Sequence, residues 1–263
     1  MGILRKKTTV TLPELHQNYV AQVATGAHHD PHSLLGIHPH EKGWVIRTLK
    51  PMAKSVAAVL DGAEKIELSH LDHGIWQGFI AAKNVPDYRI LAIYSGEDFD
   101  TEWNIDDPYR HKPTIGELDL HLIQEGRHEE LWNALGAHLH TVAGALGESK
   151  GTRFAVWAPN AKAIRVVGDF NHWNGTAHSM RAMGASGVWE LFIPEVGVGT
   201  KYKFEILTPD GNWITKIDPL ARATEVPPAT ASVVTESNFK WNDKNWLAER
   251  AERDALKSPL SIY

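Results

Sequence analysis

Gly151-Thr-Arg-Phe-Ala-Val-Trp-Ala-Pro159-Asn-Ala-Lys-Ala-Ile-Arg-Val-Val167 decides the fold. It holds two short runs rich in β-branched and aromatic residues, Arg153-Phe-Ala-Val-Trp157 and Ala163-Ile-Arg-Val-Val167. Between them Pro159 fixes φ in an Ala-Pro-Asn-Ala turn, so the stretch predicts strand, turn, strand. The same pattern occurs earlier in Gly43-Trp-Val-Ile-Arg-Thr-Leu-Lys-Pro51-Met-Ala-Lys-Ser-Val-Ala-Ala-Val59, with Pro51 in the place of Pro159. Further landmarks follow in the same order. Gly74-Ile-Trp76-Gln-Gly-Phe-Ile80 parallels Gly187-Val-Trp189-Glu-Leu-Phe-Ile193, Tyr88-Arg-Ile90 parallels Tyr202-Lys-Phe204, and Asp107-Pro108 parallels Asp218-Pro219. Ordered landmarks whose spacing drifts by a few residues predict a duplicated fold with altered loops.

Working outward, Trp189-Glu-Leu-Phe-Ile193 and Lys201-Tyr-Lys-Phe-Glu-Ile206 alternate partially and are separated by Pro194, Gly197 and Gly199. Asp210-Gly211 before Trp213 is a hairpin signal. Short strands with turn signals every ~8–12 residues predict a mainly β chain of two tandem immunoglobulin-like β-sandwiches with a few short helices. Thr11-Leu-Pro-Glu14 has the form of a capping box, followed by an apolar face of Leu12, Leu15, Tyr19 and Val23 and a stop at Gly26. Short helices are predicted over 117–123 and 129–135, and a helical tail over 244–257, ending at Ser258-Pro259. The glycine-rich stretch Gly144-Ala-Leu-Gly-Glu-Ser-Lys-Gly151 is the predicted domain boundary. The predicted order is an N-terminal helical segment (1–26), a first sandwich (27–143), a second (144–240) and a helical linker (241–263).

The composition is that of a folded chain: 263 residues, 43% hydrophobic and 22% charged. A net charge of -5 argues against nucleic acid or an anionic membrane as partner, because both demand a basic face. There is no cysteine, so apolar packing must hold the sandwiches together, and a reducing compartment is compatible. No apolar run approaches a membrane span, and Met1-Gly-Ile-Leu-Arg-Lys-Lys lacks the order of a secretory signal, so a cytoplasmic location is expected. Ten tryptophans are many for this length, and Trp serves either cores or flat ligand surfaces.

Several segments name a family. Asp30-Pro-His-Ser-Leu-Leu-Gly36-Ile-His38, Ile105-Asp-Asp-Pro-Tyr-Arg110, Glu125-Gly-Arg-His128 and Leu135-Gly-Ala-His138 resemble the first N-terminal domain of bacterial 1,4-α-glucan (glycogen) branching enzymes. The stretch from Gly151 to Ala161, Gly168-Asp-Phe-Asn-His-Trp-Asn174 and Gly187-Val-Trp-Glu-Leu-Phe-Ile-Pro194 resemble that family's second domain, a family-48 carbohydrate-binding module. Ser258-Pro-Leu-Ser-Ile-Tyr263 is similar to the segment leading into the family's catalytic barrel, which needs about 250 residues. The resemblance implies transfer of a glucan segment from an α-1,4 to an α-1,6 linkage by a retaining carboxylate pair outside this sequence. It also implies binding of α-glucan (glycogen, maltooligosaccharides), contact with that barrel, no cofactor, and no turnover by this chain alone. Two other readings are a free-standing glycogen-binding scaffold and the N-terminus of a debranching hydrolase, which leaves the first domain unexplained.

Sugar recognition needs an aromatic face for the ring C–H groups and fixed polar groups for the hydroxyls. The family's positions map onto Trp173, closing the Gly-x-Phe-Asn-x-Trp turn, Lys203 in the Tyr-Lys-Phe strand, and Trp213 after Asp-Gly. Asn171 is expected to orient the turn. The competing reading makes the two Trp core or interface residues and Lys203 a solvated strand residue; the polar neighbours of both Trp favour exposure. A further family position, an Asn, has no counterpart in Pro228-Ala-Thr-Ala-Ser232. The first repeat has Leu60-Asp-Gly-Ala-Glu in place of the Phe-Asn-x-Trp turn, so a docking or spacer role is expected for it. Trp76 and Trp189, at equivalent strand positions, are expected in cores. Fifteen histidines include His28-His29, His38-x-His40 and His138-x-His140, but without Cys or a His-Glu-x-x-His helix no metal site is predicted. Asp106, Asp107 and Asp218 adjoin prolines or lie one residue from one, and read as turn makers.

Overall fold

The computed structural model describes residues 12–254, 256, 257, 259, 261 and 262. The first module contains β1 (Gly36–His40), β2 (Gly43–Leu49), β3 (Ser55–Leu60), β4 (Lys65–Asp72), β5 (Ile75–Ile80), β6 (Tyr88–Tyr94) and β7 (Thr101–Ile105). They pair in the order β1-β2-β5-β4-β3-β6-β7. One half of β4 pairs with β3 and the other with β5, with a register shift between His70 and Asp72. A strand shared in this way folds the sheet back on itself. Ile46 and Ile80 from one arm then meet Val56, Ala58 and Ile90 from the other in a closed core.

The second module contains β8 (Gly136–Gly144), β9 (Gly147–Trp157), β10 (Ala163–Gly168), β11 (Arg181–Ala182), β12 (Val188–Pro194), β13 (Lys201–Leu207), β14 (Trp213–Lys216) and β15 (Ser232–Val233). One sheet runs β8-β9-β12-β11, the other β10-β13-β14 with β15 also on β13. The order reproduces the first module strand for strand: β1-β2-β5-β4 corresponds to β8-β9-β12-β11, and β3-β6-β7 to β10-β13-β14. The two-residue β11 is not itself paired with β10. The segment just before it meets β10 at the isolated bridge of Ser179 with Arg165, so the shared strand of the first module is here reduced to a single bridge between two sheets.

The duplication extends to side chains. Trp76 Nε1 donates to the Lys50 carbonyl at 3.1 Å, and Trp189 Nε1 to the Ala158 carbonyl at 3.0 Å. The Tyr88 hydroxyl donates to Asp107 at 2.9 Å, and that of Tyr202 to Asp218 at 2.6 Å. Each Asp also accepts from a backbone N–H two residues on, at Tyr109 and Leu220. The Asp-Pro turns are therefore buried anchors as well as bends. His38 and His138 each bond through Nε2 to the carbonyl three residues back. Trp189 is buried as expected, while Trp76 is half-buried.

The boundary predicted at 144–151 falls on the β8–β9 hairpin, where Gly144 pairs with Gly147. β8, expected in the first sandwich, is a strand of the second; glycine marks tight turns as readily as linkers. Helix α1 (Gln17–Ala24) starts later than predicted, behind His16, which makes no side-chain cap. Thr11 of the predicted capping box lies outside the described residues. Gly26 ends the helix region with φ +70°, as its position predicts. Helices α2 (Glu117–Gln124) and α3 (Leu131–Ala134) lie in the connection between modules, and α4 (Lys244–Glu252) lies in the tail. Among the described residues, no helix is long and apolar enough to cross a membrane.

The modules are joined by packing. Val20, Val23, Leu34, Leu35 and Tyr109 share one buried cluster with Phe154, Ile164, Leu191 and Tyr202. β12 is buried along its whole length. Trp189, Leu191 and Ile193 face the sandwich core, while on its other face Glu190 accepts from the Thr114 N–H at 2.7 Å and Phe192 meets the His111 ring at 4.7 Å. The connection therefore covers what an isolated sandwich would expose, which is why β12 alternates only partially in sequence.

Candidate functional site

Residues opposite one another in a ladder share a face. In the β10-β13-β14 sheet, Val166 opposite Phe204 and Ile164 opposite Ile206 point inward. The outer face therefore carries Lys203 opposite Val167, Glu205 opposite Arg165, and Trp213 opposite Leu207. The loop after β10 carries Trp173 beside this face, since Gly175 two residues on packs against Arg165 and Val167.

That loop is tightly held. Gly168 opens it where a Cβ would approach the Lys201 carbonyl to 2.2 Å, so no other residue fits. His172 and Trp173 follow with φ +52° and +59°. Left-handed backbone costs a non-glycine residue about 1–2 kcal/mol, so two in a row persist only where neighbours enforce them. Asn171 supplies that enforcement. Its Oδ1 accepts from the Gly168 N–H at 2.9 Å, and its Nδ2 donates to the Val166 carbonyl at 2.9 Å and to His178 Nδ1 at 3.1 Å. Burial, helped by the charge of nearby Lys50, pushes the His178 pKa down to about 3 and keeps the ring neutral. The tautomer with its proton on Nε2 lets Nδ1 accept from Asn171. The Trp173 N–H closes the turn on the Gly168 carbonyl at 3.0 Å. The indole is left 42% exposed. Asn171 thus has its amide engaged within the protein, and Trp173 is held outward.

Lys203 donates from Nζ to Thr230 Oγ1 at 2.8 Å. The segment without an Asn counterpart therefore places a hydroxyl beside Lys203. Trp213 is half-buried, with the Arg165 guanidinium 3.6 Å from its ring centroid. Arg165 also pairs with Glu205 at 2.8 Å and donates to the Thr25 carbonyl at 3.1 Å, so the end of α1 braces it. One ring face of Trp213 is in this way a packing surface. Arg165 and Thr230 were not singled out by sequence. Arg165 sits on the outward phase of β10, which is a legible signal; Thr230 carries none, because its segment is irregular.

The remaining candidates behave as structural groups. Asp106 sits in a buried network with Arg89, Arg110, His111 and Ser149. Burial raises its pKa, but the hydrogen bonds from His111, Arg110 and Ser149 outweigh burial and hold the carboxyl well below its usual range. Of the histidine pairs, His28 accepts from the Asp30 N–H at 3.0 Å and its ring packs 4.6 Å from His29.

Residues 16–109 match the family described as alpha-1,4-glucan branching enzyme GlgB, N-terminal domain, and residues 134–221 match carbohydrate-binding module 48 (isoamylase N-terminal domain). The chain is 54% identical over 241 residues to a 1,4-alpha-glucan branching enzyme GlgB of Thermobifida fusca, covering 92% of this chain and 32% of that protein. It is 52% identical over 259 residues to the GlgB of Leifsonia xyli, covering 96% and 34%, and 51% identical over 242 residues to GlgB 1 of Streptomyces coelicolor, covering 92% and 30%. The chain thus spans about a third of the length of the curated relatives it matches. Through residues 16–109 the chain belongs to the GlgB branching-enzyme N-terminal-domain family, and through residues 134–221 to carbohydrate-binding module family 48.

Proposed function

We propose that the chain binds α-glucan on the outer face of β10, β13 and β14 and positions it for branch formation by a catalytic barrel of a whole branching enzyme. Trp173 is the platform for the C–H face of a glucose ring, Lys203 and Trp213 contact the chain further along the face, and Asn171 holds the platform in place. The observation that carries this reading is Trp173 itself, a large apolar ring kept outward by a backbone that is costly to form. Membership in a carbohydrate-binding module family supports it. A cytoplasmic location and the absence of turnover by this chain alone belong to the same reading.

The test is retention of the chain on glycogen in native affinity gels, with a branching assay alongside. Trp173→Ala should weaken binding by about 2 kcal/mol, roughly 30-fold, the scale of an aromatic anchor, without lowering the melting temperature. Unchanged retention in the variant would move the site elsewhere. Measurable branching by the chain would overturn its assignment as a binding region.

A further inference from the structure

A cleft of about 260 Å³ opens between the modules, on the other side of the turn that carries Trp173. Tyr94 and Trp103 form one wall, their ring centroids 5.5 Å apart, and Trp103 is 50% exposed. Both lie on the outer-edge hairpin of the first module, where Trp103 is opposite Ala92 and Tyr94 opposite Thr101. The turn itself also lines the cleft, through Phe170, Asn171 and His172, as do His178 and Lys50.

Lys50 is the informative polar group. Its ammonium makes no hydrogen bond or ion pair with the described residues, although aspartates lie nearby. Lys50 lines the cleft together with His178, and its charge acts on His178 and on the fully buried Asp107. An unpaired donor beside an aromatic wall is the pairing that a pyranose ring satisfies, with hydroxyls on one edge and C–H groups on the face. The volume is near the low end for small-ligand sites, about 300 Å³, so one or two rings fit and a long chain does not. We propose that this inter-module cleft is a second α-glucan site, in which Trp103 and Tyr94 stack on a glucosyl ring and Lys50 binds its hydroxyls. It rests on the α-glucan reading above, and it gives the first module a binding role although that module lacks the Phe-Asn-x-Trp turn.

The test uses the full chain and maltotriose, followed through indole N–H resonances assigned by single Trp→Phe variants. The Trp103 resonance should shift on titration and should still shift in Trp173→Ala. Trp103→Ala should weaken glycogen retention about tenfold, and Trp103→Phe, which keeps a ring, should weaken it less. If the Trp173 resonance moves and that of Trp103 does not, the cleft is no sugar site while the outer-face reading stands. If neither moves, both readings fall. A shift at Trp103 with glucose 1-phosphate but not with maltotriose would make the cleft an anion site and overturn the proposal.

Discussion

Replacing Tyr202 with Phe removes one oxygen from the centre of the second module. Tyr202 is fully buried and its hydroxyl donates to Asp218 at 2.6 Å; Asp218 is itself 3% exposed. The other carboxylate oxygen keeps the Leu220 N–H at 2.8 Å, so the carboxylate loses one of its two recorded side-chain hydrogen bonds. A hydrogen bond to a charged group contributes about 1.5–3 kcal/mol, and a buried oxygen left unmatched forfeits that amount. A loss near 2 kcal/mol in a chain of this size lowers the melting temperature by about 4–8 °C. The effect has a pH signature. Burial raises the Asp218 pKa, while the Tyr202 hydroxyl favours the ionised form. The folded pKa lies above the unfolded one, so ionisation works against the fold as pH rises through that window, and the hydroxyl matters most where Asp218 is charged. The variant's deficit should therefore be larger at pH 7 than near pH 4. The duplicated pair gives an internal control: Tyr88→Phe, whose hydroxyl donates to buried Asp107 at 2.9 Å, should cost a similar amount. Thermal melts by circular dichroism at both pH values measure this. A deficit below about 0.5 kcal/mol in both variants, or one independent of pH, would refute the anchoring role of the Asp-Pro turns.

Two further perturbations probe the module interface and the turn beneath Trp173. Glu190→Ala leaves the buried Arg181 guanidinium, 3.1 Å from the lost carboxylate, without its ion partner; urea denaturation should show a loss of about 3–5 kcal/mol, and a loss typical of a surface glutamate would sink the interface argument. His178, with its folded pKa pushed down to about 3 by burial, stabilises the fold fully above its ordinary pKa near 6.5 and progressively less as pH falls toward 3. The slope from this group is at most about 1.4 kcal/mol per pH unit, so His178→Gln should flatten the stability profile between pH 6 and 4, and NMR should find no His178 titration above pH 5.

Much of this molecule is legible in its sequence because the relevant signals are local. Pro51 and Pro159 each sit between two short β-branched runs, and both become turns between strands of different layers. The order of repeated landmarks predicted a duplication, and the two modules pair their strands in the same order. Trp173 could be singled out because its turn is written in consecutive residues. What the tertiary structure alone decided involves residues far apart in the chain. Gly144-Ala-Leu-Gly147 has the composition of a linker, and only the pairing of β8 with β9 makes it a hairpin. Whether Trp213 is a free face or a packed one depends on Arg165, and Arg165 is placed by Thr25, 140 residues away. Trp103 and Lys50 carry no local mark of a shared cleft, since a cleft between two modules exists only once both are folded and packed. Backbone preferences and hydrophobic period act over a few residues and so appear in the sequence; shared cores, ion partners and cavities come from long-range packing, which no short stretch encodes.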